Sequence, residues 1–179
     1  MPKTISWNTS PAMQIDVAKT YKAVFDTSFG SFEIELFADE SPVTVNNFVF
    51  LARQNFYNGT IFHRVIKEFM IQGGNRGQGS PGYAIADELP PKHPWEPGII
   101  AMANKGEPNS GSCQFFICTG YQAALNLDVN PTYTQFGRVV SGMDVVRKIA
   151  SVPVVYDARG EQSVPLNPPV LNSVTIIES

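Results

Sequence analysis

Arg64 stands in a row of apolar side chains. In Thr60-Ile61-Phe62-His63-Arg64-Val65-Ile66, strict strand alternation places Phe62, Arg64 and Ile66 on one face. A guanidinium there either snorkels to solvent from a surface strand or is held over an apolar pocket to meet a carbonyl or carboxylate of a ligand. Gln114 and Phe116 are likewise two apart, with Phe115 and Ile117 on the opposite face. An amide beside an aromatic ring suits a half-apolar groove, and it equally suits a buried glutamine bonded to backbone. His63 and His93 are the two histidines, and no Cys, Asp or Glu clusters with them at ligand spacing, which argues against a metal site. His63 reads as a packed histidine beside Arg64. Glu33 and Glu35 are spaced like a carboxylate pair, but the solvated face of an amphipathic strand explains them.

Two further patterns carry less than their form suggests. Gly77-Gln78-Gly79-Ser80-Pro81-Gly82 matches G-x-G-x-x-G behind a strand, a fingerprint that needs a helix N-terminus aimed at a pyrophosphate. The following Tyr83 to Pro91 is too short and too proline-blocked to supply that helix. Cys113 and Cys118, on one strand, would lie roughly 16 Å apart, far beyond disulfide reach, and read as small buried core residues.

The elements that must position these groups are mostly strands. Tyr21, Ala23 and Phe25, then a break at Ser28-Phe29-Gly30, then Phe32, Ile34 and Leu36 predict an amphipathic hairpin. Ser41-Pro42 opens a helix to about Arg53, with Ser41 as its expected cap and Val45, Phe48, Val49 and Ala52 as its apolar face. Ile61 to Ile66 and Phe69 to Gly73 read as short strands joined at Lys67-Glu68. Pro90 to Pro97 is a proline-rich surface loop; Gly98 to Ala103 and Thr134 to Val140 are strands, Val145 to Ala150 a second helix, and Val174 to Ile177 a closing strand. Periodicity thus gives a mainly β domain with two helices.

The 179 residues suit one domain, residues 21–179, behind an irregular leader at 1–20. Thirteen basic against sixteen acidic residues, with no basic run, argue against nucleic acid as a partner. No apolar stretch reaches membrane-spanning length, so the expectation is a cytoplasmic chain that neither crosses nor binds a membrane, and a monomer by default.

Phe62-His63-Arg64 with Phe69-Met70-Ile71-Gln72-Gly73-Gly74, then Met102-Ala103-Asn104, then Gly111-Ser112-Cys113-Gln114-Phe115-Phe116-Ile117 closely resemble, in order, the signature of the cyclophilins, peptidyl-prolyl cis-trans isomerases. The resemblance runs from about Tyr21 to Ile177. It implies a closed eight-stranded antiparallel barrel capped by two α-helices, no cofactor, and proline-containing peptides and unfolded protein chains as substrates. It also implies Arg64, Phe69 and Gln72 as catalytic residues. Met70, Phe116 and Leu125 would line the proline pocket with Phe69. Gln72 and Asn104 would grip the peptide backbone, Ala103 and Gln114 would form the groove wall, and Gly77 would border it. Phe69 shares a pocket with Met70 and Gln72 only if a twist or bulge near Lys67-Glu68 breaks the alternation.

Three departures from the family pattern stand out. Reading Leu125-Asn126 as the family's Leu-Asp pair puts Ala124 where many cyclophilins have a tryptophan important for cyclosporin, so that drug is expected to bind weakly. Tyr133 replaces a histidine beyond an insertion around Asp128 to Pro131, and Lys105 replaces a small residue.

Overall fold

The computed structural model describes residues 5–77 and 80–179. In chain order the elements are β1 (Tyr21–Thr27), β2 (Gly30–Leu36), α1 (Pro42–Arg53), β3 (Thr60–Ile61), β4 (Arg64–Ile66), β5 (Met70–Gly73), β6 (Ile99–Met102) and β7 (Phe115–Cys118). Then follow α2 (Gln122–Leu127), β8 (Gln135–Ser141), α3 (Met143–Ala150), β9 (Val154–Tyr156), β10 (Gln162–Pro165) and β11 (Val170–Glu178).

Nine strands form one antiparallel sheet in the order β3-β11-β1-β2-β8-β6-β7-β5-β4. Its two edge strands, β3 and β4, are separated in the chain by Phe62-His63 alone. Phe62 N–H donates to Pro169 O at 3.0 Å and His63 N–H to Gln72 O at 3.1 Å. One run of chain therefore serves both edges, and the sheet must curl round until they meet in it. Counted as one run, β3 and β4 bring the curled sheet to the eight antiparallel strands expected. β9 and β10 form a separate two-stranded hairpin.

Alternation divides the side chains into two apolar clusters. Inside the curl lie Phe25, Phe32, Ile71, Phe115, Ile117 and Phe136, joined by Val45, Phe48 and Val49 of α1 and by Val145, Val146 and Ile149 of α3. The rings interlock: Phe25 stacks on Phe32 at 4.8 Å and meets Phe115 edge-on at 5.6 Å. On the outer face, Met70, Trp95, Ile99, Ala101, Phe116, Cys118, Ala123 and Leu127 form the second cluster.

Several expectations need correction. Phe62 does not share a face with Arg64: it is fully buried in the inner cluster, because Phe62 and His63 leave the strand between β3 and β4 and reset the alternation. Ser41 does not cap α1; its Oγ donates to Gln135 O at 2.7 Å, while Glu88, from a distant loop, accepts the Val43 and Thr44 N–H groups at 3.2 and 2.7 Å. A carboxylate suits that positive helix end. The described residues form three helices, not two. α2, at six residues, is too short to show periodicity. Trp95, expected in a surface loop, is buried in the outer cluster.

Cys113 faces the inner cluster and Cys118 the outer one, so the two do not bond to each other. Burial pushes their thiols up to about 11 and about 12. Residues 5–20 form neither helix nor strand but lie on α1. Asn46 Oδ1 accepts Gln14 N–H at 2.8 Å, and the Trp7 ring meets Phe50 edge-on at 4.9 Å. No helix among the described residues is long and apolar enough to cross a membrane.

Candidate active site

Register brings the chemistry together. Arg64 on β4 lies opposite Gln72 on β5, Gln72 opposite Phe116 on β7, and Phe116 opposite Ala101 on β6. On the outer face of the sheet this makes one continuous row of guanidinium, amide, ring and methyl. Phe69 joins it by escaping the strand. Glu68 takes a left-handed φ of 61°, so β5 begins only at Met70 and Phe69 is freed from the alternation. That turn is seated on the segment after β7: Thr119 and Gln122 N–H groups donate to Phe69 O and Glu68 O at 2.9 Å each. Gly120 permits the approach, since a Cβ there would stand 2.5 Å from Glu68 Cα.

Together Arg64, Phe69, Met70, Gln72, Ala103, Asn104, Phe116, Leu127 and Tyr133 line a cavity of about 120 Å³. A neighbouring depression of about 60 Å³ is lined by Gln72, Ala103, Asn104, Lys105, Ser110, Ser112 and Gln114. Two wider clefts, about 690 and about 660 Å³, lie around the end of α3. They hold none of the aromatic and amide groups of the row. The small cavity sets an apolar floor of Phe69, Met70, Phe116 and Leu127 beside the convergent polar groups Arg64, Gln72 and Asn104.

Its polar groups form a chain whose direction is set at one end. A guanidinium only donates, so Gln72 must turn its oxygen to Arg64, with Nη1 to Oε1 at 3.1 Å. That aims the Gln72 amine at Gln114 Oε1, 3.0 Å away. On its other side Arg64 meets Glu161, Nε to Oε1 at 2.7 Å and Nη2 to Oε2 at 2.9 Å. This pair holds the Glu161 carboxyl down at about 2. Beneath the cavity, Phe116 is crossed edge-on by Tyr133 at 5.3 Å and stacked on Trp95 at 6.1 Å.

A family model described as "Cyclophilin type peptidyl-prolyl cis-trans isomerase/CLD" matches residues 22–176. The chain belongs to that family. A peptidyl-prolyl cis-trans isomerase-like 3 of Dictyostelium discoideum is 42% identical over 84% of this chain and 91% of its own. A peptidyl-prolyl cis-trans isomerase of Acinetobacter baylyi is 41% identical over 84% of this chain and 82% of its own. A peptidyl-prolyl cis-trans isomerase-like 2 of Rhizopus delemar, 43% identical, is longer, and the match spans 28% of it. A Cryptosporidium parvum cyclophilin superposes with a TM-score of 0.76 at 28% identity over 89% of this chain and 99% of its own.

In this cyclophilin the expected site residues do not all meet. Leu125 is 67% exposed on α2 and lines neither depression; Leu127, 4% exposed and one helical turn away from Ala123, lines the cavity instead. The Leu-Asp pair is thus Leu127-Asp128, and Asn126, not Ala124, precedes it. Gly77 sits in an exposed turn outside both depressions, and its neighbours Gln78 and Gly79 lie outside the described residues. Residues 83–91 contain no helix, so the glycine-rich loop lacks the helix N-terminus that a pyrophosphate needs. Asn104 lines the cavity with its side chain already engaged: Nδ2 donates to Thr132 O at 3.1 Å, and Oδ1 accepts Gly106 N–H at 2.9 Å.

His63 is half-buried. Burial first, then the Arg64 charge, lowers its pKa, so the ring next to Arg64 is neutral. Sequence reasoning missed Leu127, Trp95 and Glu161. The Leu127-Asp128 pair was the signal that could have found the first, but nothing local to Glu161 points at Arg64.

Proposed function

We propose that the groove isomerises X-Pro bonds by binding the twisted amide better than either planar form. An X-Pro bond prefers trans by only ~0.5–1 kcal/mol, while rotation costs ~18–20 kcal/mol because the amide loses its resonance. No bond breaks, so the reaction needs no nucleophile or metal. It needs differential binding of the twisted state. There the proline nitrogen becomes pyramidal and gains a lone pair, and Arg64 is the donor for it. Phe69, Met70, Phe116, Leu127 and Tyr133 hold the ring, and Gln72 and Gln114 hold the flanking carbonyl. With its side chain engaged, Asn104 meets the peptide through its main chain.

The observation that carries this reading is a fixed guanidinium beside a small cavity floored by Phe69, Met70, Phe116 and Leu127. A charge-assisted hydrogen bond in such a place is worth about 2–4 kcal/mol. The clients are proline-containing peptides and unfolded chains, so the protein assists folding. Consistent with this class of ligand, a Cryptosporidium parvum cyclophilin structure determined in the presence of the dipeptide Ala-Pro superposes with a TM-score of 0.75. Cyclosporin binds weakly, because Asn126 supplies no indole.

The test is NMR exchange between the cis and trans forms of an Ala-Pro peptide with catalytic amounts of protein. The reading expects wild type to accelerate exchange and Arg64→Ala to lose about two to three decades while staying folded. Saturable peptide binding without acceleration would instead make the chain a proline-docking module.

A further inference from the structure

Arg64 is not held by its own strand. Its guanidinium has five N–H donors. Glu161 accepts two of them, from Nε and Nη2, and Gln72 accepts one from Nη1. One N–H on each Nη nitrogen is left for a ligand. The carboxylate thus fixes the plane of the guanidinium and selects the edge it presents.

The hairpin between β9 and β10 is built to hold that carboxylate still. Asp157 Oδ1 accepts the Arg159 and Glu161 N–H groups at 2.9 and 2.8 Å, and Asp157 N–H donates to Glu161 O at 2.8 Å. Gly160 takes the left-handed φ of 86° that closes the turn. The buried Ser163 hydroxyl helps to lower the Glu161 carboxyl, and β10 packs along β4. An exposed hairpin with no part in the main sheet has its turn and one buried hydroxyl organised around a single acidic side chain.

We propose that Glu161 is a positioning residue of the isomerase reaction, which clamps Arg64 side-on so that only its two free N–H groups meet the proline nitrogen. The clamp acts in every state of the substrate. Its loss therefore blurs the aim of Arg64 at the twisted amide and leaves binding of planar peptide unchanged. The inference rests on Arg64 being the donor to the twisted amide, and the test separates the two.

Kinetics of an Ala-Pro peptide are compared for wild type, Glu161→Gln, Glu161→Asp, Arg64→Ala and the Arg64→Ala/Glu161→Gln double variant. The expected result is a kcat about tenfold lower in Glu161→Gln with KM within twofold, a partial recovery in Glu161→Asp, and no further loss in the double variant. The Arg64 Nε–H resonance, sharp in wild type, broadens in Glu161→Gln. If Arg64→Ala loses activity while Glu161→Gln keeps its kcat, or if the two losses add, the positioning role is wrong and the Arg64 mechanism stands. If Arg64→Ala keeps full activity, that mechanism fails first.

Discussion

Phe115 and Phe116 are neighbours on β7, both aromatic and both at most 5% exposed, yet they serve different regions of the molecule. Phe115 points into the curl, where Phe25, Phe48, Phe62 and Tyr57 surround it with ring centroids 5.6 to 6.2 Å away. Phe116 points outward between Trp95 and Tyr133 and forms the floor of the cavity. One strand therefore builds the core on one face and the groove on the other. The inner cluster is covered by α1 and α3. The outer one is complete except for a small cavity that polar groups overlook.

This contrast sets the order of mutational effects. Phe115→Ala removes a ring enclosed on all sides, so it should cost about 3–5 kcal/mol and abolish activity by unfolding, as a thermal melt will show. Phe116→Ala should cost less, because the hole it leaves opens onto the groove; the folded variant should lose activity chiefly through a higher KM. If Phe116→Ala destabilises as much as Phe115→Ala, the division into core and groove is too sharp. Leu127→Ala and Leu125→Ala sharpen the comparison within one helix. The first should raise KM severalfold, and the second, at an exposed position, should stay within about 0.5 kcal/mol of wild-type stability and leave activity untouched.

The smallest effect is on pH. Glu161 has its carboxyl lowered to about 2 by Arg64, against an ordinary value of about 4.3 when unfolded. A depressed acid contributes stability in full above its unfolded pKa and loses it as pH falls through the folded one. The stability difference between wild type and Glu161→Gln should thus be constant above about pH 5 and vanish towards pH 2, as urea titrations at successive pH values will show. It will be small, because the carboxylate is about a third exposed. A difference that persists at pH 2 would mean the pair does not set the Glu161 pKa.

Much of this was legible in the chain. The hairpin from Tyr21 to Leu36 and the helix ending at Arg53 follow from alternation and from Pro42, because local rules govern both. The shared row of Gln72 and Phe116 was half legible, since spacing gives the face but not the pairing. One break was hidden: Phe62-His63 interrupts a strand that composition makes look continuous, and only the curl of the sheet accounts for it, whereas the joint at Lys67-Glu68 was readable but its seat on Gly120 was not. Leu125 and Leu127 differ by one side of a helix too short to declare its phase. The pairing of Glu161 with Arg64 across 97 positions is a product of the fold alone.

In the proposed mechanism Arg64 acts on the twisted amide and not on the planar peptide. Arg64→Lys tests it most directly, because the charge remains while the planar fork that Glu161 and Gln72 hold is lost. One NMR titration of an Ala-Pro peptide yields both the affinities of its cis and trans forms and their rate of exchange on the protein. Affinities should stay within about twofold of wild type while exchange slows by about a hundredfold. Affinity and exchange falling together, or exchange unchanged, would contradict that mechanism.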